Sequence, residues 1–349
     1  MNAVLSSAPL AVGTTSRGVW SAAATRFRRD RVGMVSLAVV ALFLLVVLAA
    51  AFGLIAGDWQ LERGVPDAPP TFMGPAPKTE TIAIQQPSGP NVDISAIDPL
   101  APRYAEWAEA AKKYRTVEAV RAATLPFGAD RLGRDVLAKA LKGAQVSILV
   151  GVAAATVATV IGTLLGACAG FFGGKAGDLL EWVYNVFTAM PGILLIFAFA
   201  AVFHRGVGSV VMILGLTGWT GIYRLVRAEF IKHANRDYVR SAEAIGASNA
   251  SRMFRHILPN ISHVILVQLS IHVVGFIKSE VILSYLGLGV GVDQVSWGTM
   301  LSEAQSELIL GHWWQLAAAT LMMAVFVTAF SLMTDALRDA LDPKLRGLE

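Results

Sequence analysis

Long apolar runs, broken by short polar and basic stretches, set the pattern of this 349-residue chain. Val32 to Ile55 is almost wholly apolar, and five more runs follow near Ser147–Phe171, Leu179–Phe203, Val207–Val226, Ile261–Tyr285 and Trp314–Leu337. A helix rises about 1.5 Å per residue, so about 20 apolar residues cross the hydrocarbon of a bilayer. The pattern predicts six transmembrane helices. Ala49-Ala50-Ala51 could mimic a signal-peptide cleavage site, but signal cores run only about 7–15 residues. The first run is longer, which favours a retained span.

Between the first and second runs, Asp58 to Lys142 reads as a soluble insert. It opens with Pro66, Pro69, Pro70, Pro75, Pro77, Pro87 and Pro90, a density that prevents regular structure. Pro102 to Ala123 then reads as a charged helix, with Tyr104, Trp107, Ala108 and Ala111 at helical spacing. In the second run Gly162, Gly166 and Gly170 form a doubled GxxxG ridge. Small residues at that spacing let helices approach closely in lipid, although glycines are common in membrane helices for other reasons.

Composition agrees with a lipid solvent. Apolar residues make up 55% and charged residues 15%, against about a quarter charged in soluble domains. The net charge of +4 sits beside the apolar runs, so it reports membrane orientation and not nucleic-acid binding. The single cysteine, Cys168, excludes an internal disulfide and a cysteine metal cluster.

Arg26, Arg28, Arg29 and Arg31 precede the first run, and Arg224, Arg227, Lys232, Arg236, Arg240, Arg252 and Arg255 crowd one loop. The loop from Gly287 to His312 has acids but no Lys or Arg. The positive-inside rule then predicts a cytoplasmic segment 1–31, a first span 32–57, an extracytoplasmic insert 58–142, a five-helix core 143–337 with a cytoplasmic loop 229–260, and a cytoplasmic tail 338–349.

Within that loop, Asp237 can cap a short helix beginning at Tyr238. Tyr238, Ser241, Ala242 and Ile245 share one small apolar face, Arg236, Arg240 and Glu243 line another, and Gly246 suits the left-handed position that ends a helix. A second short helix is expected from Ser248 to Leu258-Pro259. A short helix of this kind fits a groove on a partner; a plain surface loop is the alternative.

Tyr238-Val239-Arg240-Ser241-Ala242-Glu243-Ala244-Ile245-Gly246, followed by Ile257-Leu258-Pro259, resembles the "EAA…G…ILP" loop of ABC importer permeases. Phe127–Leu137 resembles the "GTDxLGRDVL" segment of the dipeptide, oligopeptide and nickel permeases; Leu283–Val290 with Ser296–Leu301 resembles their "LSFLGLGV…SWGxML" segment, and Asp335–Pro343 their "DxLRDxLDP" tail. The chain departs from the pattern at Arg240, where a Glu is usual, at Glu243, where a basic residue is common, and at Gly291–Val295, which lacks the family's prolines.

The resemblance, to the second, C-type permease of the pair, implies an all-α type I importer permease fold. It implies that Tyr238, Arg240, Ser241, Ala242, Glu243, Ala244, Ile245, Gly246, Leu258 and Pro259 dock on an ATPase subunit. It also implies a homologous permease partner, two ATP-binding subunits, an extracytoplasmic solute-binding protein, no cofactor, and short peptides as substrate. Nickel-chelate and peptide-antibiotic import fall within the same family. A self-contained channel or ion-coupled transporter is the rival of another class, and it predicts acids at mid-depth in the spans.

Gly174-Lys175 is followed by Ala176, and Ala169 stands where a nucleotide-binding loop needs glycine. The chain is therefore not expected to hydrolyse ATP. His204, His233, His256, His263, His272 and His312 form no HExxH or other metal-ligand cluster. His263 and His272 read as packing residues or substrate contacts, and Lys278 and Glu280 as pathway lining or as charges snorkelling at a helix end.

Overall fold

The computed structural model describes residues 19–75, 97–113 and 121–341. The expected tail beyond Leu341, including Asp342-Pro343, lies outside them, as do Pro77, Pro87 and Pro90. Among the described residues the chain is helical, with four isolated bridge pairs in the insert. The all-α membrane fold expected from the sequence is the one observed.

Four continuous helices are long and apolar enough to cross a bilayer: α2 (Arg31–Ala51), α4 (Val136–Phe172), Asn249–Tyr285 and α13 (Trp314–Leu341). Two expected spans are instead broken helix pairs. α5 (Gly174–Thr188) meets α6 (Gly192–Val202) at 88°, and α7 (Val207–Thr217) meets α8 (Thr220–Ala234) at 42°. Taking each pair as one span gives six. Pro191 explains the sharper break, since it lacks an N–H and disfavours helix at Met190. Gly218 ends α7, and α8 runs eight residues past the expected limit at Val226.

α1 (Val19–Arg29) precedes α2; the turn between them is closed by Asp30, whose carboxylate accepts from Val32 N–H at 2.9 Å. Ala23 and Phe27 of α1 pack on Val267, Leu337, Ala340 and Leu341. α4 starts inside the segment assigned to the insert: Asp135 caps it, accepting from Leu137 N–H at 2.8 Å. Of the charged helix expected over Pro102 to Ala123, the described residues carry a 3-10 turn at Ala101–Arg103 and α3 (Tyr104–Lys113); 114–120 lie outside them. By Ala122 the chain is extended, donating from its N–H to Arg63 C=O at 2.9 Å.

The bundle is organised on α4. An added Cβ at Gly162 would lie 2.6 Å from Trp219 C=O, at Gly166 2.6 Å from Tyr223 C=O, and at Gly170 2.6 Å from Arg227 C=O. The three glycines thus form a trough that receives the backbone of α8, one turn after another.

Polar groups tie the insert end together. Asp130 and Lys139 are buried and paired at 2.7 Å; Lys139 also bonds Glu303 and donates to Gln315 at 3.1 Å, and Arg134 meets Asp130 at 2.6 Å. Burial alone would raise the Asp130 carboxyl, but Lys139 and Arg134, with hydrogen bonds from both, hold it below the ordinary range. Farther along, Glu280 is wholly buried and accepts from Ser147 at 2.6 Å and Ser284 at 2.7 Å. Those hydroxyls in turn accept from Trp297 N–H and Val290 N–H. Glu280 therefore neither lines an open path here nor snorkels; it is a packing node, while Lys278 is exposed.

Gly166→Leu should lower the thermal midpoint of the detergent-purified protein, because overpacking at a closed interface costs about 1–3 kcal/mol. Gly192→Leu, where nothing lies within 4 Å of the added Cβ, should leave it unchanged. Equal midpoints for the two variants would remove the trough as a stability determinant.

Candidate functional site

The segment after α8 folds as expected in outline and differs in detail. α9 (Asp237–Ala244) begins one residue earlier than expected, and its N-cap is Arg236, which supplies no side-chain cap bond. Its end is a Schellman closure: Ala247 N–H donates to Ala242 C=O at 3.0 Å, and Gly246 N–H to Glu243 C=O at 2.9 Å. Gly246 has φ +86, in the left-handed region that glycine enters at least cost.

The face that α9 turns inward is Val239 and Ala242. Val239 enters a buried cluster with Ala167 of α4, Phe230 and Val226 of α8, and Met253 and Ile257. Ala242 is only 4% exposed, so it does not belong to an outward apolar face as the sequence spacing suggested. The outward face carries Tyr238, Ser241 and Ile245, with Ile245 86% exposed, and Arg240, Glu243 and Ala244 are exposed around it.

Two side chains fix this face. Tyr238 OH lies 2.8 Å from His233 Nδ1. Arg252 pairs with Glu243 at 2.9 Å and stacks over Phe171 of α4 at 5.2 Å. Val239 and Arg252 are the residues that sequence reasoning missed. Arg252 stands well beyond Glu243 in the chain, and no local pattern joins them.

The expected second helix does not stop at Leu258-Pro259. Ser248 caps α10 (Asn249–Ser251), accepting from Ser251 N–H at 3.3 Å. A π turn over Arg252–Ile257 leads straight into α11 (Leu258–Tyr285). Pro259 offers no N–H and its ring crowds the carbonyl four residues back; the wider turn before it lets the helix continue. Leu258 is half-buried on the Val239 cluster, and Pro259 is exposed.

Residues 162–347 match the family of binding-protein-dependent transport system inner membrane components. The chain belongs to this family. It is a multi-pass transport permease of the inner membrane, and the self-contained channel is set aside. The dipeptide transport system permease DppC of Bacillus subtilis (strain 168) is 35% identical over 220 residues, 63% of this chain and 69% of that protein. The oligopeptide permease OppC of the same strain is 36% identical over 63% of this chain and 72% of its own. The glutathione permease GsiD of Pectobacterium atrosepticum is 37% identical over 63% and 73%.

The other sequence candidates fall elsewhere. His272 lies 3.2 Å from Gln268 and stacks on Phe276 at 5.4 Å within α11, as a packing histidine does. His263 borders a cavity of about 310 Å³ with Val267, Gln268 and Arg338. Among the described residues no group of three His, Cys, Asp or Glu could hold a metal ion.

Arg252→Ala should loosen α9 without unfolding the bundle. A partly exposed ion pair and a cation–π contact are worth ~1 kcal/mol together. Amide exchange over Asp237–Ala244 should quicken by about tenfold or less, with the global thermal midpoint shifted by only about a degree or two (~1 kcal/mol). Unchanged exchange would show that Val239 alone anchors the helix.

Proposed function

We propose that this permease imports short peptides and that α9 is where its ATPase subunit docks. The observation that carries the docking role is the exposed Ile245, presented with Tyr238 and Ser241 on a short helix whose other face is locked into the bundle. A large apolar side chain held out on a rigid element suits a partner groove. The charges on that helix, Arg240 and Glu243, stand exchanged relative to the usual pattern, and Glu243 is already engaged by Arg252. Apolar contact, and not an ion pair through Glu243, is then the main adhesive.

The peptide assignment rests on relatives that are permeases for dipeptides, oligopeptides and glutathione. The remaining assembly follows the same pattern: a second homologous permease, two ATP-binding subunits and an extracytoplasmic binding protein. Both termini and α9 lie in the cytoplasm in this arrangement, and the insert faces outward. ATP-driven closure of the ATPases then displaces α9, and the bundle responds as a two-state body biased by nucleotide.

Ile245→Asp tests docking. It should abolish co-purification of the ATPase and peptide uptake while leaving the thermal midpoint of the permease unchanged; retained co-purification would refute the docking role. Topology is tested with Ile97→Cys and Ser248→Cys in a Cys168→Ala background, where an impermeant thiol reagent should label the first only. Equal labelling would overturn the orientation. For substrate, deleting the gene should stop an auxotroph from growing on di- and oligopeptides. Unaffected peptide growth with a loss of nickel-dependent activity would transfer the assignment to a nickel chelate.

A further inference from the structure

Beside the Lys139 network, a second titratable cluster lies beneath the insert. Glu307 sits in α12 (Trp297–Ile309) and is 2% exposed. Its Oε1 accepts from Arg131 N–H at 3.2 Å, and its Oε2 is buried with no hydrogen-bond partner. His312 N–H donates to Glu307 C=O at 2.9 Å, and its ring stacks on Trp314 at 4.9 Å. That ring brings Nδ1 to 3.2 Å from Asp67 Oδ1, close enough for an ion pair when the imidazole is protonated, but both atoms lack a hydrogen bond. Three buried polar atoms, from the insert, α12 and the loop after it, thus lack a hydrogen bond. An unpaired buried polar group is costly.

The turn that carries Asp67 is tied to the insert by backbone bonds. Asp67 has φ +55, in the left-handed region that Asp and Asn enter more readily than other side chains. It is held by its N–H to Asp130 C=O at 3.0 Å, while Gly64 N–H bonds Gly133 C=O at 2.9 Å.

We propose that Glu307, with His312 and Asp67, is a proton-binding latch: with the carboxyl protonated, segments 64–71 and 129–134 are held against α12 and α13, and ionisation of the carboxyl loosens them. The groups facing Glu307 are Arg131, Asp130 and Asp67 from the insert, Lys139 from α4 and His312 from the following loop. Burial is the largest influence and raises the carboxyl; the Arg131 N–H and Lys139 lower it, Asp130 and Asp67 raise it, and the balance is about 7. A carboxyl raised in the closed form favours closure when protonated. Closure is therefore strongest below the ordinary value of about 4.5, weakens as the pH climbs toward 7, and is level above it. The latch is independent of which solute the permease carries.

The test is hydrogen exchange of the full chain in lipid nanodiscs from pH 4.5 to 8, corrected for the intrinsic pH dependence of amide exchange. A carboxyl that holds its proton about tenfold more tightly when closed favours closure by the same factor. Protection of the amides in 64–71 and 129–134 should therefore fall at least about tenfold from pH 4.5 to 7. Glu307→Gln should hold protection level across that range. Asp67→Asn removes a charge that raises Glu307, so it should move the upper end of the transition to lower pH. A flat wild-type profile overturns the latch. So does a Glu307→Gln profile that keeps its slope, and a slope abolished by His312→Gln alone would assign the titration to His312 instead. If Glu307→Gln fails to fold, an unshifted transition in Asp67→Asn is the overturning result.

Discussion

Close approach of α4 to α8 is the constraint on which the other contacts depend. In lipid there is no hydrophobic gain from burying one apolar helix against another, so packing and hydrogen bonds must hold the bundle. At Gly162, Gly166 and Gly170 the gap to the α8 backbone leaves no room for even a methyl group. That contact fixes where the far end of α8 emerges. It thereby places Phe230 and Val226 beside Ala167, which is the surface that Val239 of α9 covers. The position of α9 is thus inherited from a glycine spacing far earlier in the chain.

Much of this was legible. Gly246 was readable as a helix stop because a left-handed backbone position has few occupants other than glycine. The GxxxG ridge was readable as a close-contact face, though not its partner, since spacing says that a face is small and says nothing of what lies against it. Pro191 was visible in the sequence, yet the expected span ran through it, because apolar composition alone carries no information on bending.

The orientation of α9 was not legible for a related reason. Tyr238, Ser241, Ala242 and Ile245 satisfy helical spacing, and so do Val239 and Ala242. In a helix of 8 residues, with alanine at both Ala242 and Ala244, amphipathicity cannot choose between the two faces. Tertiary contact with Met253 and Phe230 decides it, and the large residues Tyr238 and Ile245 are left outside. The ion network at the insert end was hidden by distance: Lys139 and Glu303 are 164 positions apart, Lys139 and Gln315 176. Glu280 was noticed as a costly charge, but its serine partners on α4 and α11 turn that cost into a junction.

The two ends of the bundle therefore differ in how much buried polar bonding is added to apolar packing. At the α9 end the contacts are mostly apolar and small, through Val239, Met253, Ile257 and Ala167, with Arg252 as a charged clamp. At the insert end an apolar cluster around Trp59, Met300 and Trp314 is joined by hydrogen bonds and ion pairs among buried groups, Asp130, Lys139, Gln315, Glu280 and Ser147. Apolar surfaces slide or repack at modest cost, since dispersion is non-directional. A satisfied polar junction is directional, and opening it halfway strands buried charge. A displacement applied at α9 would thus be taken up as shear among apolar neighbours near its origin, whereas α4, α11 and α12 at the other end would move as one block or switch in a single step. The bends at Pro191 and Gly218 lie between these regimes, at points where the helical ladder is already interrupted, and so are the natural places for the difference in movement to be absorbed.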